Sequence, residues 1–212
     1  VQTINPTNIS SFMIGRDPQA GNRYFQGYIE DIRIYNRALT SQEISAIYER
    51  GRGTYSQSLI NGWPTVKPPI HHWRLNEQSG NVVNDKGSSP VVGSITSCVL
   101  AQTGKIDKSM WFTGTASYIA NPDTKLSNTA ASFSFWAKTN KATRNTVIGQ
   151  GSIDGQNGWY IDFLGVNTVR FLFGTATAYT YGDNSSTVGD NNWHHICCVR
   201  PQYTTPNIYV DG

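Results

Sequence analysis

Short runs of β-branched and aromatic residues, separated by turn-forming Gly, Asn and Ser, follow one another along most of the chain. In residues 159–163 the large apolar side chains stand at alternate positions, residues 169–173 form a second run rich in apolar and aromatic side chains, and residues 165–167 between them have the composition of a turn. Runs of this length and pattern are typical of strands in antiparallel sheets. Similar runs span residues 12–15, 27–35, 132–137, 146–149, 193–199 and 207–210. The sequence therefore predicts an all-β fold, an antiparallel two-sheet β-sandwich of the jelly-roll type.

The composition of the 212-residue chain argues against several classes of protein. Charged residues make up 15% of it and aromatic residues 12%, which disfavours disorder and a coiled coil. The basic residues are scattered and the net charge is only +3, so no nucleic-acid partner is expected. No run of about 18 apolar residues occurs, so no membrane insertion is expected. The three cysteines form no CxxC pair, so a zinc or thioredoxin-type site is not expected. Core packing of the cysteines is favoured over a disulfide that involves Cys98.

One short helix is expected between Thr40 and Gly51. Thr40 and Glu43 have the spacing of a capping box, in which the Thr hydroxyl accepts from the Glu amide and the Glu carboxylate accepts from the Thr amide. The apolar residues that follow at helical spacing are Ile44, Ile47 and Tyr48. Gly51 is expected to end the helix with a positive φ angle. Residues 52–69 are rich in Gly, Ser, Asn and Pro and are interpreted as a linker.

Motifs spread over the chain correspond to the parts of one known type of module. Residues 14–17 and 24–40 have the pattern of its closing part, and residues 73–80 and 85–87 that of its opening part. The segments similar to its middle are 111–114, 133–137, 193–195 and 208–212. Together these motifs resemble a laminin-G/pentraxin-like jelly-roll module of the concanavalin A-like lectin/glucanase superfamily. The resemblance covers nearly the whole chain outside the linker and implies the same sandwich fold.

The order of these parts differs from the family order, which is opening, middle and closing. Here the closing strands and the helix come first, as residues 1–51, followed by the linker 52–69 and by the opening and middle strands, residues 70–212. An Asp-Gly pair after the last predicted strand is a hairpin signal, and Val1 starts a segment suited to the return strand. The order predicts a single, circularly permuted jelly-roll module with Val1 and Gly212 close together.

Two other interpretations of this order stay open. The two pieces can belong to different modules of a tandem array from which the chain is cut. Alternatively, residues 1–51 of one copy can complete residues 70–212 of the next, which gives a strand-exchanged oligomer instead of a monomer. The mass of the protein in solution distinguishes a closed monomer from an exchanged assembly.

The resemblance implies a structural Ca²⁺ ion where the loop of the module's opening part meets an acidic pair on the last strand of its closing part. In this chain those positions are Asp85 and Gly87 in the loop, and Glu30 and Asp31 on the strand. Carboxylates and loop carbonyls are oxygen ligands of the kind that Ca²⁺ prefers. The chain departs from the family pattern because the acidic pair is Glu-Asp and the shorter loop carries Lys86. The alternative interpretation is an ordinary turn aspartate and a Glu–Lys surface pair.

A carbohydrate-binding face is the second site hypothesis. The candidate ligand-binding residues are Tyr160, Asp162, Arg170, Tyr179 and Tyr181. Because side chains alternate along a strand, Tyr160 and Asp162 are expected on one face and Trp159 on the other, in the core. Aromatic rings with a few oriented polar groups are typical of ligand sites. The alternatives are surface tyrosines without a ligand, and a site on the loop at residues 154–157.

A catalytic role is not supported by the carboxylates or the histidines. Glu30 and Asp31 are adjacent, so they are expected to face opposite sides of their strand, and no Glu-x-Asp-x-Glu sequence occurs. A retaining glycosidase needs two carboxyl groups about 5 Å apart. His194 and His195 are also neighbours on a strand and are expected to face apart. The sequence therefore predicts that the protein is not an enzyme.

The resemblance implies a non-catalytic recognition module. Such a module would bind a glycan or a protein ligand in an extracellular protein or on a cell or virion surface, with calcium as a structural ion. This inference comes from the fold family, and a fold alone does not determine function. The alternatives are a purely structural or assembly repeat of an adhesin or viral fibre, and a glycoside-hydrolase-related enzyme.

Overall fold

The computed structural model describes residues 12–18, 23–52, 65–121, 130–151, 158–174, 179–202 and 204–212. In this part of the chain it contains fifteen strands and one helix, and the strands form two antiparallel sheets packed as a sandwich. The predicted all-β fold is confirmed. The elements are β1 (Phe12–Ile14), β2 (Gln26–Tyr35), α1 (Ser41–Gly51), β3 (His71–Trp73), β4 (Val82–Asn84), β5 (Val92–Thr96), β6 (Val99–Thr103), β7 (Lys108–Thr113), β8 (Tyr118–Asn121), β9 (Ala131–Lys138), β10 (Asn145–Gln150), β11 (Trp159–Phe163), β12 (Val169–Gly174), β13 (Tyr179–Asn184), β14 (Trp193–Arg200) and β15 (Asn207–Val210).

The two sheets differ in how their strands are ordered. Eight described strands form one sheet in the order β13-β12-β11-β10-β1-β8-β5-β4. The other sheet has the order β15-β14-β9-β2-β7-β6, and β3 also pairs with β2. β2 pairs with β9 along one edge. Along its other edge, β7 pairs with residues 26–29 and β3 pairs with residues 32–34. The change of partner falls beside Glu30 and Asp31, where the candidate site lies.

Apolar side chains from both sheets fill the space between them. On β11, Trp159, Ile161 and Phe163 all belong to this core. The Trp159 ring lies 4.4 Å from the ring of Phe133 on the opposite sheet, measured between centroids. Full burial of a phenylalanine such as Phe133 stabilises the fold by about 1.5–3 kcal/mol. The interpretation of Trp159 as a core residue is confirmed.

The strands that precede the helix are central strands of both sheets. β1 lies between β8 and β10, and β2 lies between β9 and the pair β7 and β3. Within one chain, therefore, the first described strands pair with the later ones. The division into residues 1–51, 52–69 and 70–212, and its origin in a circular permutation, stay predictions. Val1 lies outside the described residues, and its closeness to Gly212 stays a prediction as well.

Helix α1 begins with the predicted capping box. The Glu43 amide donates to Thr40 Oγ1 at 3.2 Å, and the Thr40 amide donates to Glu43 Oε2 at 3.0 Å. The helix packs on the outer face of the sheet that contains β14, against Cys197 and Val199. No helix in the described part of the chain is long and apolar enough to cross a membrane.

Gly51 is needed for close packing and not for a change of backbone direction. It is the last helical residue, and Arg52 after it keeps a right-handed φ of −72°, so the expected positive φ at Gly51 is wrong. A Cβ atom at Gly51 would lie 2.4 Å from Nε1 of Trp136. The glycine therefore lets the helix end approach the indole ring on the sheet.

We expect Thr40→Ala to lower the free energy of unfolding by about 1 kcal/mol, because the substitution removes the side-chain half of the capping box. Urea denaturation measures this change. The neighbouring Ser41→Ala is the control, because Ser41 is exposed and makes no cap; its effect is expected within about 0.5 kcal/mol. Equal losses in the two variants would contradict the role of the cap.

Candidate functional site

Glu30 and Asp31 lie at a β-bulge in the middle of β2. Between Glu30 and Arg33 the strand has one residue more than the facing stretch of β9, from Trp136 to Ser134, and Asp31 has a φ of +57°. A bulge interrupts the alternation of side chains along a strand. Both carboxylates consequently line one cleft. The expectation that they face opposite sides of the strand is wrong.

A cleft of about 210 Å³ opens beside the bulge. Its walls come from β2, from β3 and the residues after it, and from the turn between β6 and β7. The lining residues are Glu30, Asp31, Arg33, His72, Arg74, Asn76, Ile106 and Asp107. All but two of these side chains are acidic or basic, so the cleft is suited to a polar ligand.

The turn between β6 and β7 holds the Glu30 carboxylate in place. The carboxylate accepts hydrogen bonds from the backbone N–H groups of Lys105, Ile106 and Asp107 at 2.6–3.1 Å. Gly104 in the same turn is so close that a Cβ atom there would lie 2.5 Å from Glu30 Oε2. Burial raises the pKa of Glu30, and the hydrogen bonds from the turn offset that rise only in part.

A histidine and an arginine hold the Asp31 carboxylate. His72 Nε2–H donates to Asp31 Oδ1 at 2.6 Å, and Arg33 Nη2 lies 2.8 Å from Asp31 Oδ2. The Asp31 amide donates to the backbone oxygen of Arg74 at 3.0 Å, which ties β2 to the chain after β3. Burial alone would raise the pKa of Asp31. The hydrogen bond from His72 and the charge of Arg33 outweigh it, so the pKa lies below its ordinary value.

The mouth of the cleft carries exposed side chains of opposite charge. Arg74 and Asp107 are both exposed, and Ile106 is 47% exposed. Asn76 Nδ2 donates to Asp107 Oδ2 at 2.8 Å, so the amide and the carboxylate form one side of the opening. Among the described residues no partner engages the Arg74 guanidinium. Arg74 is therefore the charged donor at this site that remains available to a ligand.

Asp85 lies next to this cleft but outside its lining. Its carboxylate accepts from the backbone N–H groups of His72, Gly87 and Val91 at 2.6–3.1 Å and from His71 Nδ1 at 2.7 Å. Burial would raise the pKa of Asp85, but these hydrogen bonds outweigh it and the pKa is lowered. A Cβ atom at Gly87 would lie 2.1 Å from the backbone oxygen of Ile70, so the turn requires glycine here.

The described residues do not fit a calcium ion between these carboxylates. Each oxygen of Glu30, Asp31 and Asp85 already accepts from an N–H group, and Arg33 supplies a positive charge. Nowhere in the described ranges do three or more His, Cys, Asp or Glu side chains form a group that could hold a metal ion. The Gly87 amide donates to Asp85 Oδ1 at 2.7 Å.

The predicted carbohydrate face contains a buried ion cluster. Asp162 lies opposite Arg170 on β12 and Thr146 on β10, and its carboxylate accepts from both side chains and from Arg144 at 2.6–2.9 Å. Asp162 is 0% exposed. The sequence-based prediction did not include Arg144, which precedes β10 and is 18 residues from Asp162. The carboxylate is therefore held by its own sheet and is not presented to a ligand.

The tyrosines predicted for this face have different environments. Tyr160 faces Leu172 across the strands, and Leu172 in turn faces Tyr181, so the three share one row. Tyr160 is buried beneath the guanidinium of Arg144, which lies 5.1 Å from its ring centroid, whereas Tyr181 is 50% exposed. The side chain of Tyr179 lies outside the described residues. The part of this face that the structure describes stabilises the sheet more than it offers a binding surface.

His194 and His195 of β14 have separate roles. His195 is buried, and its Nε2 lies 2.9 Å from Ser134 Oγ. His194 Nδ1 lies 2.8 Å from Asp211 Oδ2 and its Nε2 lies 3.0 Å from Asp190 Oδ1. Both rings are thus held by neighbouring side chains, and neither lines the cleft.

Comparison with known proteins found one matching family. A laminin G-type family model, described as the concanavalin A-like lectin/glucanases superfamily, matches residues 1–45 and 113–212. No curated protein and no solved structure matches the chain.

Proposed function

Because the chain belongs to the concanavalin A-like lectin/glucanase superfamily, we propose that it is a non-catalytic recognition module that binds one residue of a carbohydrate in the cleft beside β2. The observation that carries this proposal is the unengaged Arg74 guanidinium at the mouth of a polar, preformed cleft. We also propose that the module belongs to an extracellular protein or to a cell or virion surface, where modules of this type are common.

The size and chemistry of the cleft support a sugar ligand. About 210 Å³ is enough for a single monosaccharide unit. Sugar hydroxyl groups both donate and accept hydrogen bonds, and the mouth offers donors on Arg74 and acceptors on Asn76 and Asp107. Ile106 adds an exposed apolar surface that suits the C–H face of a sugar ring. Well-placed polar groups fix the orientation of a ligand in a preformed concave site.

A hydrolytic role is the alternative, because Glu30 and Asp31 line the same cleft. Their environments displace their pKa values in opposite directions, a property shared with catalytic acid–base pairs. A general acid must, however, place its proton within hydrogen-bond reach of the leaving oxygen. Glu30 is 2% exposed and both of its oxygens face backbone amides. This geometry supports a binding site over a catalytic one.

We expect Arg74→Ala to weaken binding to a carbohydrate about 10–100-fold, because hydrogen bonds to a charged group contribute about 1.5–3 kcal/mol. A glycan array of the full chain identifies the ligand, and calorimetry measures its affinity. Arg52→Ala is the matched control, since Arg52 is an exposed arginine at the end of α1, away from the cleft.

Three results would contradict the proposal. An array with no bound glycan favours a protein ligand or a structural repeat. Equal affinities of the Arg74→Ala and Arg52→Ala variants would place the glycan elsewhere. Sugar release from an oligosaccharide by the full chain would overturn the non-catalytic assignment.

A further inference from the structure

We infer that the histidine pair His71–His72 joins the opening loop to the bulged strand by proton donors in place of a metal ion, so that the cleft forms and binds its ligand without calcium. The part of this inference that concerns ligand binding rests on the proposed function. The part that concerns the connection between the loop and the strand does not rest on it.

His72 links the two acidic segments by itself. Its backbone N–H donates to Asp85 Oδ1 and its side-chain Nε2–H donates to Asp31 Oδ1, both at 2.6 Å. Asp85 belongs to the opening loop and Asp31 to the bulge of β2, so one residue of β3 connects both. A bridging cation would have to occupy the same oxygens.

His71 strengthens this connection through its contact with Asp85 in the loop. Its Nδ1 lies 2.7 Å from Asp85 Oδ2. Its ring is stacked on Trp73, with centroids 5.3 Å apart and planes at 10°, which fixes its orientation. Trp73 itself forms a backbone bridge with Asp85. The carboxylate is therefore enclosed by groups that packing holds in place.

The charge at the bulge is compensated without a metal. Arg33 contacts Asp31 through Nε at 3.3 Å and Nη2 at 2.8 Å. In the described part of the chain, the hydrogen bonds that Glu30 accepts come from backbone amides of the turn between β6 and β7. Ca²⁺ needs six to eight oxygen ligands. To coordinate here it would have to displace N–H groups that would then be buried without acceptors, which is costly.

The direct test is a metal titration of the full chain. Thermal unfolding is followed in chelator, in millimolar calcium and in millimolar magnesium, and Tb³⁺ luminescence sensitised by tryptophan serves as a second probe. We expect one melting temperature in all three solutions and no saturable luminescence. A calcium ion at 100 times its dissociation constant would raise the melting temperature by about 5–10 °C. Such a rise, or saturable luminescence, would overturn the inference.

A pair of isosteric variants tests the donor role of His72. Gln and Met have nearly the same length and shape, but only Gln offers an N–H group to Asp31. We expect His72→Gln to retain a clearly higher melting temperature than His72→Met. Equal melting temperatures in the two variants would overturn the assignment of His72 as the connecting donor.

Glycan binding measured in chelator and in calcium separates this inference from the proposed function. A glycan that binds equally in chelator and in calcium supports both. A glycan that binds only in calcium overturns the metal-free site while leaving the recognition function intact. If no glycan binds, the proposed function fails, and the melting and luminescence measurements still decide on the metal.

Discussion

Asp85→Ala is expected to lower the free energy of unfolding by about 3–5 kcal/mol, the cost of breaking a buried hydrogen-bonded charge network. The substitution removes the acceptor of His71 Nδ1 and of the amides of His72, Gly87 and Val91, and these donors then lose their partner in a buried site. Urea denaturation at neutral pH measures the loss. A variant that shows no folded baseline in circular dichroism exceeds this range in the same direction.

The adjacent Lys86→Ala is the matched control for this prediction. Lys86 is exposed in the same loop and contributes only its backbone N–H, which donates to the oxygen of His72. Its replacement is expected to change stability by no more than about 0.5 kcal/mol. Similar losses in Asp85→Ala and Lys86→Ala would mean that the loop tolerates no change at all, and the specific role of the carboxylate would be refuted.

The unfolding free energy is expected to reach a maximum near pH 6.5, because two adjacent histidines of β14 have pKa values displaced in opposite directions. Hydrogen bonding to Asp211 is the main cause that raises the pKa of His194. Burial lowers the pKa of His195 to about 4. An unperturbed histidine titrates near pH 6.5.

The sign of each effect follows from proton linkage. The contribution of His194 is complete below about pH 6.5 and disappears as the pH rises through its higher folded pKa. The contribution of His195 is complete above about pH 6.5 and is lost as the pH falls toward 4, at about 1.4 kcal/mol per pH unit. Between pH 6.5 and pH 5 this amounts to a loss of about 2 kcal/mol.

Urea denaturation between pH 5 and pH 8 measures the profile, and NMR titration of the imidazole signals assigns it. The His194→Gln variant is expected to lose the decline above pH 6.5 and to keep the decline below it. The His195 ring is expected to stay neutral down to pH 5, because the residue is only 1% exposed and burial disfavours its charged form. Signals of His195 that titrate near pH 6.5 would refute this account.

Local patterns predicted the secondary structure well. Alternation on 159–163 places Trp159 in the core and Asp162 on the outer face, as observed. The capping box at Thr40 and Glu43 is present in the expected form. These features depend on residues only a few positions apart, so the sequence carries their signal directly. Gly51 is the exception, because its requirement comes from Trp136 on a distant strand.

The site was harder to predict because its contacts connect distant parts of the chain. The bulge at Asp31 arises from pairing with β9, which follows about 100 residues later. His72 is 41 residues from Asp31, and the turn amides are 75–77 residues from Glu30. Two histidines directly before Trp73 are a visible signal, but nothing local says which carboxylates they contact.

The sequence by itself determined the all-β class, the short helix after Thr40 and the acidic residues around which the candidate site is built. Periodicity and capping act over a few residues, and folding preserves them. Only the tertiary structure decided that Glu30 and Asp31 share a cleft, and that N–H donors and Arg33 occupy their oxygens. A carboxylate binds a cation or a proton donor according to what packs against it, and packing joins residues that the sequence keeps apart.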